Sequence, residues 1–124
     1  MQGPIAVVTF NRPPANALNQ ELFAELLALL PRLQQPEVRG VVVTGQGRFF
    51  SAGLDLFEVF GYEAQKAADF TRDFDDGVTG LFAFPKPVVA AINGHAIAGG
   101  AVLAATADFR LVAQGEAKLG LTEI

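Results

Sequence analysis

Two short runs of β-branched and apolar residues, "IAVVTF" (Ile5 to Phe10) and "GVVVTG" (Gly40 to Gly45), flank a single amphipathic stretch. This arrangement constrains the fold more than any other feature of the chain. A continuous apolar run of this length predicts a buried strand. "NRPPAN" breaks the first run with two prolines, and Asn19 then offers a helix N-cap. Leu22, Phe23, Leu26, Leu27, Leu30 and Leu33 fall on one helical face, and Pro31 predicts that the helix ends or kinks nearby. A strand, a helix and a strand in that order form a βαβ unit with parallel pairing and a right-handed crossover.

The pattern continues to the end of the chain. Leu54 to Phe60 suits a short helical turn. A longer helix is expected from Tyr62 to Phe82, with Ala67, Phe70, Phe74, Val78 and Leu81 inward, although Gly77 and Gly80 weaken it. "PKP" stops it. "VVAAIN" (Val88 to Asn93) is a third strand, "AGGAVLAATA" (Ala98 to Ala107) a helix and "FRLVA" (Phe109 to Ala113) a fourth strand. A strand-like piece lies around Lys118 to Gly120. The order argues for one α/β domain over residues 1–124.

Composition narrows the function. The net charge is −4 with no basic cluster, so nucleic acid is not an expected partner. Zero Cys removes disulfides, thiolate metal sites and a Cys nucleophile, and one His excludes a multi-histidine metal site. No run of about eighteen apolar residues occurs, so no membrane span is expected, and a cytoplasmic location is the default.

Chemistry is best sought at two junctions of one design. "VVVTG…FSAGLDL" and "VVAAING…AIAGGAVL" each run from a strand through a small-residue turn into a helical segment. The first N–H groups of a helix are unpaired, and small side chains let a ligand oxygen approach them. Two such turns on adjacent strands can aim two amides at one oxyanion, each contributing about 3–4 kcal/mol in a transition state. Either turn alone is also ordinary turn chemistry. Neither matches a dinucleotide fingerprint, and a P-loop is absent.

"NRPPANALN" (Asn11 to Asn19), "GRFFSAGLDL" (Gly47 to Leu56), "KPVVAAINGHAIAGG" (Lys86 to Gly100) and "ADFRL…AKLGLTEI" (Ala107 to Ile124) together resemble the enoyl-CoA hydratase/isomerase family, the crotonase fold. The four segments come in the family's order across essentially the whole chain, which stops about half-way through the family's length. The resemblance implies a spiral of ββα repeats, truncated before the C-terminal helical region that completes the acyl pocket and supports trimer contacts. It implies a coenzyme A thioester as substrate, no separate cofactor and no metal. A trimer-based homo-oligomer is implied once the missing part is supplied. Carried over by position, the oxyanion amides are those of Leu54 and Gly99. Ala52, Gly53, Leu54, Asp55, Leu56, Gly99 and Thr122 line the substrate site, and Arg12 is a candidate contact for a coenzyme phosphate.

In the family's hydratases two glutamates flank the substrate. The first position is Val102 here, and the second is Glu123 of "GLTEI". A single carboxylate suits a double-bond shift better than hydration, and the motifs resemble the Δ3,Δ2-enoyl-CoA isomerases most. Hydration, or acyl-CoA binding without catalysis in an assembly module, stays open. Asp55 also reads as a helix-start acid and Arg12 as a plain surface cation. His95 reads as a partly buried, hydrogen-bonded side chain, and Asp75 and Asp76 as solvated carboxylates.

Overall fold

The computed structural model describes residues 2–121. Strand β1 (Ile5–Phe10) leads to helix α1 (Gln20–Leu33), then strands β2 (Gly40–Gly45) and β3 (Phe49–Ser51). Helices α2 (Leu56–Val59) and α3 (Ala64–Phe82) follow, then β4 (Val88–Ile92), β5 (His95–Ile97), α4 (Gly99–Ala105), β6 (Phe109–Val112) and β7 (Leu119–Gly120). Among the described residues no helix is long and apolar enough to cross a membrane.

The strands build two parallel sheets. One has the order β1-β2-β4-β6, the other β3-β5-β7. After β1 and α1, the circuits that start at β2 and β4 each lay a strand in the first sheet, turn a corner, lay a short strand in the second and return through helix, and β6 and β7 begin a third. This is an α/β spiral of ββα repeats. Of the second sheet only β7 is expected from the sequence, as the strand-like piece around Lys118 to Gly120; β3 and β5 are not, because three-residue strands such as "FFS" and "HAI" are too short to show a period.

Helix α1 forms as its pattern predicts. The Asn19 side chain accepts from the Leu22 N–H at 2.9 Å, and Phe23, Leu26, Leu30 and Leu33 are buried. Pro31 lies inside the last turn, and the helix runs only two residues beyond it. Helix α3 buries Phe70 and Leu81, with Phe74 and Val78 half-buried. Its two glycines accommodate α1. A β-carbon at Gly77 would stand 3.0 Å from the Phe23 ring, and one at Gly80 would stand 2.6 Å from Leu30. Phe23 packs edge-on against Phe70, with ring centres 5.9 Å apart. Burying a side chain of that size stabilises the fold by roughly 1.5–3 kcal/mol.

Strand β1 corrects the expectation of a fully buried strand. Among the described strands β2 is its one neighbour in the sheet, and Val7 is 43% exposed. β-branched composition marks a strand but does not say whether neighbours cover both its faces. At the other edge of the sheet all four residues of β6 are exposed.

Two polar side chains tie the corners. Asn93 accepts from the Gly45 N–H (3.0 Å) and donates to the carbonyls of Gly47 (2.9 Å) and Phe49 (3.1 Å). Lys86, from the "PKP" stop, donates to the carbonyls of Leu33, Gln35 and Val38 at 3.1, 2.7 and 2.6 Å. It thereby satisfies acceptors that the end of α1 and the following turn leave open.

Candidate active site

The two small-residue turns meet. At the first, Gly53 adopts φ +91°, a backbone conformation that a side chain would strain. A β-carbon there would stand 2.9 Å from the Ile97 carbonyl, 3.0 Å from the Ala98 β-carbon and 3.1 Å from the Gly99 nitrogen. At the second, Ala98 holds φ 53°, ψ −120°, which non-glycine residues rarely occupy, and α4 starts at Gly99. A β-carbon at Gly100 would collide with the Ser51 carbonyl, so the helix can sit on β3 only with hydrogen at that position.

Neither the Leu54 nor the Gly99 amide donates to an acceptor among the described residues. Both residues line an open cleft of about 500 Å³ whose walls are Ala52, Leu56, Phe74, Ile97, Ala98 and Val102. Among the described residues, that lining carries no charged side chain. Where a bound ligand and apolar side chains displace water, amides interact more strongly with an anionic oxygen than they would in water. Such an arrangement can hold a carbonyl oxygen as negative charge develops on it.

The first turn is held from a distance. The loop between β1 and α1 forms a parallel bridge with it: the Leu18 N–H donates to the Gly53 carbonyl (2.8 Å) and the Asp55 N–H to the Leu18 carbonyl (2.9 Å). Asn16 anchors that loop and is fully buried. Its amide donates to the carbonyls of Gln46, Phe49 and Phe50, while its Oδ1 accepts from the Arg12 N–H. Ser51 Oγ donates to the Asn16 carbonyl (2.8 Å) and accepts from the Gly53 N–H (3.1 Å).

Asp55 caps α2, accepting from the Glu58 N–H at 3.2 Å. This is the helix-start role open to it from the sequence. Arg12 Nη2 lies 2.9 Å from both Asp55 Oδ2 and Glu58 Oε2, and Nη1 donates to the Ala17 carbonyl at 3.1 Å. The Glu58 N–H, and then the Arg12 guanidinium, hold the Asp55 carboxyl below its ordinary 3.8. Asn19 and Tyr62 complete the cluster by donating to Glu58.

Thus Ala52, Leu54, Leu56 and Gly99 line the cleft, Gly53 packs against its floor, and Asp55 and Arg12 are paired beside it. Thr122 and Glu123 lie outside the described residues. His95 is half-buried, with Nδ1 accepting from the Lys118 N–H at 2.9 Å, and Asp75 and Asp76 are exposed. Asn16 and Glu58 were not singled out from sequence. An Asn beside a proline pair is a turn signal, and Asp55 three residues before Glu58 is a capping pattern, so both had a local trace.

The whole chain, residues 1–124, matches the family described as enoyl-CoA hydratase/isomerase. The chain belongs to that family. It is 37% identical over 122 residues to a probable enoyl-CoA hydratase of Bacillus subtilis, covering 97% of this chain and 47% of that one. It is 43% identical over 127 aligned positions to a carnitinyl-CoA dehydratase of Salmonella enteritidis, covering 96% and 48%. Among solved structures, Pseudomonas aeruginosa DspI superimposes with a TM-score of 0.90 at 35% identity, covering 99% of this chain and 51% of that one. An enoyl-CoA hydratase from Bacillus anthracis gives 0.90 at 34%, covering 98% and 48%. The chain therefore spans about half the length of the curated relatives it matches.

Proposed function

We propose that this chain binds a coenzyme A thioester and takes part in moving the double bond of a 3-enoyl-CoA to give a 2-enoyl-CoA. The observation that carries the reading is that Leu54 and Gly99, whose amides have no acceptor among the described residues, line one apolar cleft. The thioester oxygen rests between them. Glu123 removes a proton from C2, the electrons move into the carbonyl as a dienolate, and the same carboxyl returns the proton at C4. Val102 supports this choice over hydration. It lines the cleft at the position where the family's hydratases carry the first of two glutamates, and an isopropyl group cannot transfer a proton. The protein is proposed to act in the cytoplasm as a trimer-based homo-oligomer, without metal or redox cofactor.

The names of the relatives favour a second reading, addition or removal of water across the C2–C3 bond of an acyl-CoA. The decisive measurement offers the purified protein 3-enoyl-CoA and 2-enoyl-CoA separately. Isomerisation should dominate, and Glu123→Gln should lower it by about 10²–10⁴-fold. Faster hydration of the 2-enoyl thioester would replace the first reading with the second. Tight thioester binding without turnover would leave the non-catalytic binding module.

A further inference from the structure

Resting on the reading of Leu54 as a carbonyl-binding amide, we propose that Arg12 is the positioning residue that fixes that amide, and that it is not a coenzyme phosphate contact. Arg12 links the two residues flanking the Leu18–Leu54 bridge. Nη1 holds the carbonyl of Ala17, just before Leu18, and Nη2 holds the carboxylate of Asp55, just after Leu54. Its own N–H is tied to Asn16 Oδ1 at 2.8 Å, so the arginine backbone is anchored to the hub of the same loop. The Gly53–Leu54 peptide is therefore restrained on one side by the bridge and on the other by a charged clamp.

The surrounding charge argues against a phosphate. Asp55 and Glu58 both lie 2.9 Å from Nη2, so the single positive charge is already exceeded by two negative ones. The depression of about 280 Å³ beside Arg12 is also lined by Glu21 and Glu25. A coenzyme phosphate there would face four carboxylates against two cations, the Arg12 guanidinium and the Lys66 ammonium on Glu21, both already paired. A clamp, in contrast, gains from this geometry. One planar fork meets a carbonyl and two carboxylates in fixed directions, which a lysine ammonium reproduces only in part.

The test compares wild type, Arg12→Met and Arg12→Lys. In the ligand-free proteins, the Leu54 amide resonance should shift and the bridge amides of Leu18 and Asp55 should exchange faster in Arg12→Met, while the Gly99 resonance stays unchanged. With acyl-CoA, kcat should fall by about 10–100-fold, because a donor displaced by a fraction of an ångström loses much of its effect. KM and the Kd for free coenzyme A should stay within about twofold, and Arg12→Lys should recover part of kcat. An unmoved Leu54 amide in folded Arg12→Met, or a coenzyme A Kd raised about tenfold at constant kcat, overturns the assignment. A wild type that never turns over acyl-CoA defeats the functional reading alone, since the Leu54 resonance still decides the clamp. If Arg12→Met does not fold, Asp55→Asn removes the ion pair while keeping the cap, and is read at the same amide.

Discussion

The turns at Gly53 and at Ala98 present the same group, a backbone amide with no acceptor among the described residues, but they are held in opposite ways. The Gly53 turn is relaxed locally, because glycine accepts φ +91°, and is fixed by the neighbouring Ser51 and by partners distant in sequence: Asn16, Leu18 and the Arg12 clamp. The Ala98 turn has no side-chain cap and carries a strained residue. It is fixed by the β5–β7 register, through the Ala98 N–H to the Gly120 carbonyl at 2.9 Å, and by the fit of Gly100 on Ser51. One donor depends on a hydrogen-bonded loop and the other on close packing, so different perturbations should reach each of them.

The largest effect is expected from Gly100→Ala. The added methyl must displace the Ser51 carbonyl, a backbone atom with nowhere to rotate. Stability should fall by about 3 kcal/mol or more in urea unfolding. A loss of a few tenths would show that the packed turn is looser than its geometry implies. Ala98→Gly sharpens the contrast in the other direction. It relieves backbone strain worth about 1–3 kcal/mol and gives back part of that gain through a more flexible unfolded chain. A net gain of about 1 kcal/mol should appear in the same measurement.

The smallest effect concerns acid. The Asp55 carboxyl titrates below its ordinary 3.8 in the folded protein. The stability it contributes is thus fully present above that ordinary value, and is lost as pH falls through the lower folded value. Asp55→Asn should flatten this limb below about pH 4, seen as a shallower fall of Tm with pH, while the Ala98 turn shows no matching response.

Much of this contrast was visible in the residues. The two strand–turn–helix segments, the Asn19 cap, the apolar face of α1 and the inward face of α3 all follow from local composition and spacing. The interest of Val102 came instead from the family resemblance laid over "AGGAV", and the structure adds that it lines the cleft. The remainder depended on long-range partners. Nothing in "NRPPAN" alone says that Asn16 will satisfy carbonyls more than thirty positions away, or that Arg12 will meet Asp55 and Glu58. The three-residue strands were invisible for the opposite reason, since too few residues carry any signal. Helix α3 was weakened on paper by Gly77 and Gly80, yet those glycines are what let Phe23 and Leu30 sit against it.

Asn93 has a consequence for how the molecule comes apart. One side chain grips the end of β2, the corner after it and the first residue of β3. Peeling the second sheet from the first would break the bond to Phe49 and loosen the corner at Gly47, leaving a half-buried amide short of partners, so neither sheet gains by melting alone. The two layers are coupled into one cooperative unit, and amide exchange in β2 and in β3 should report a common opening free energy.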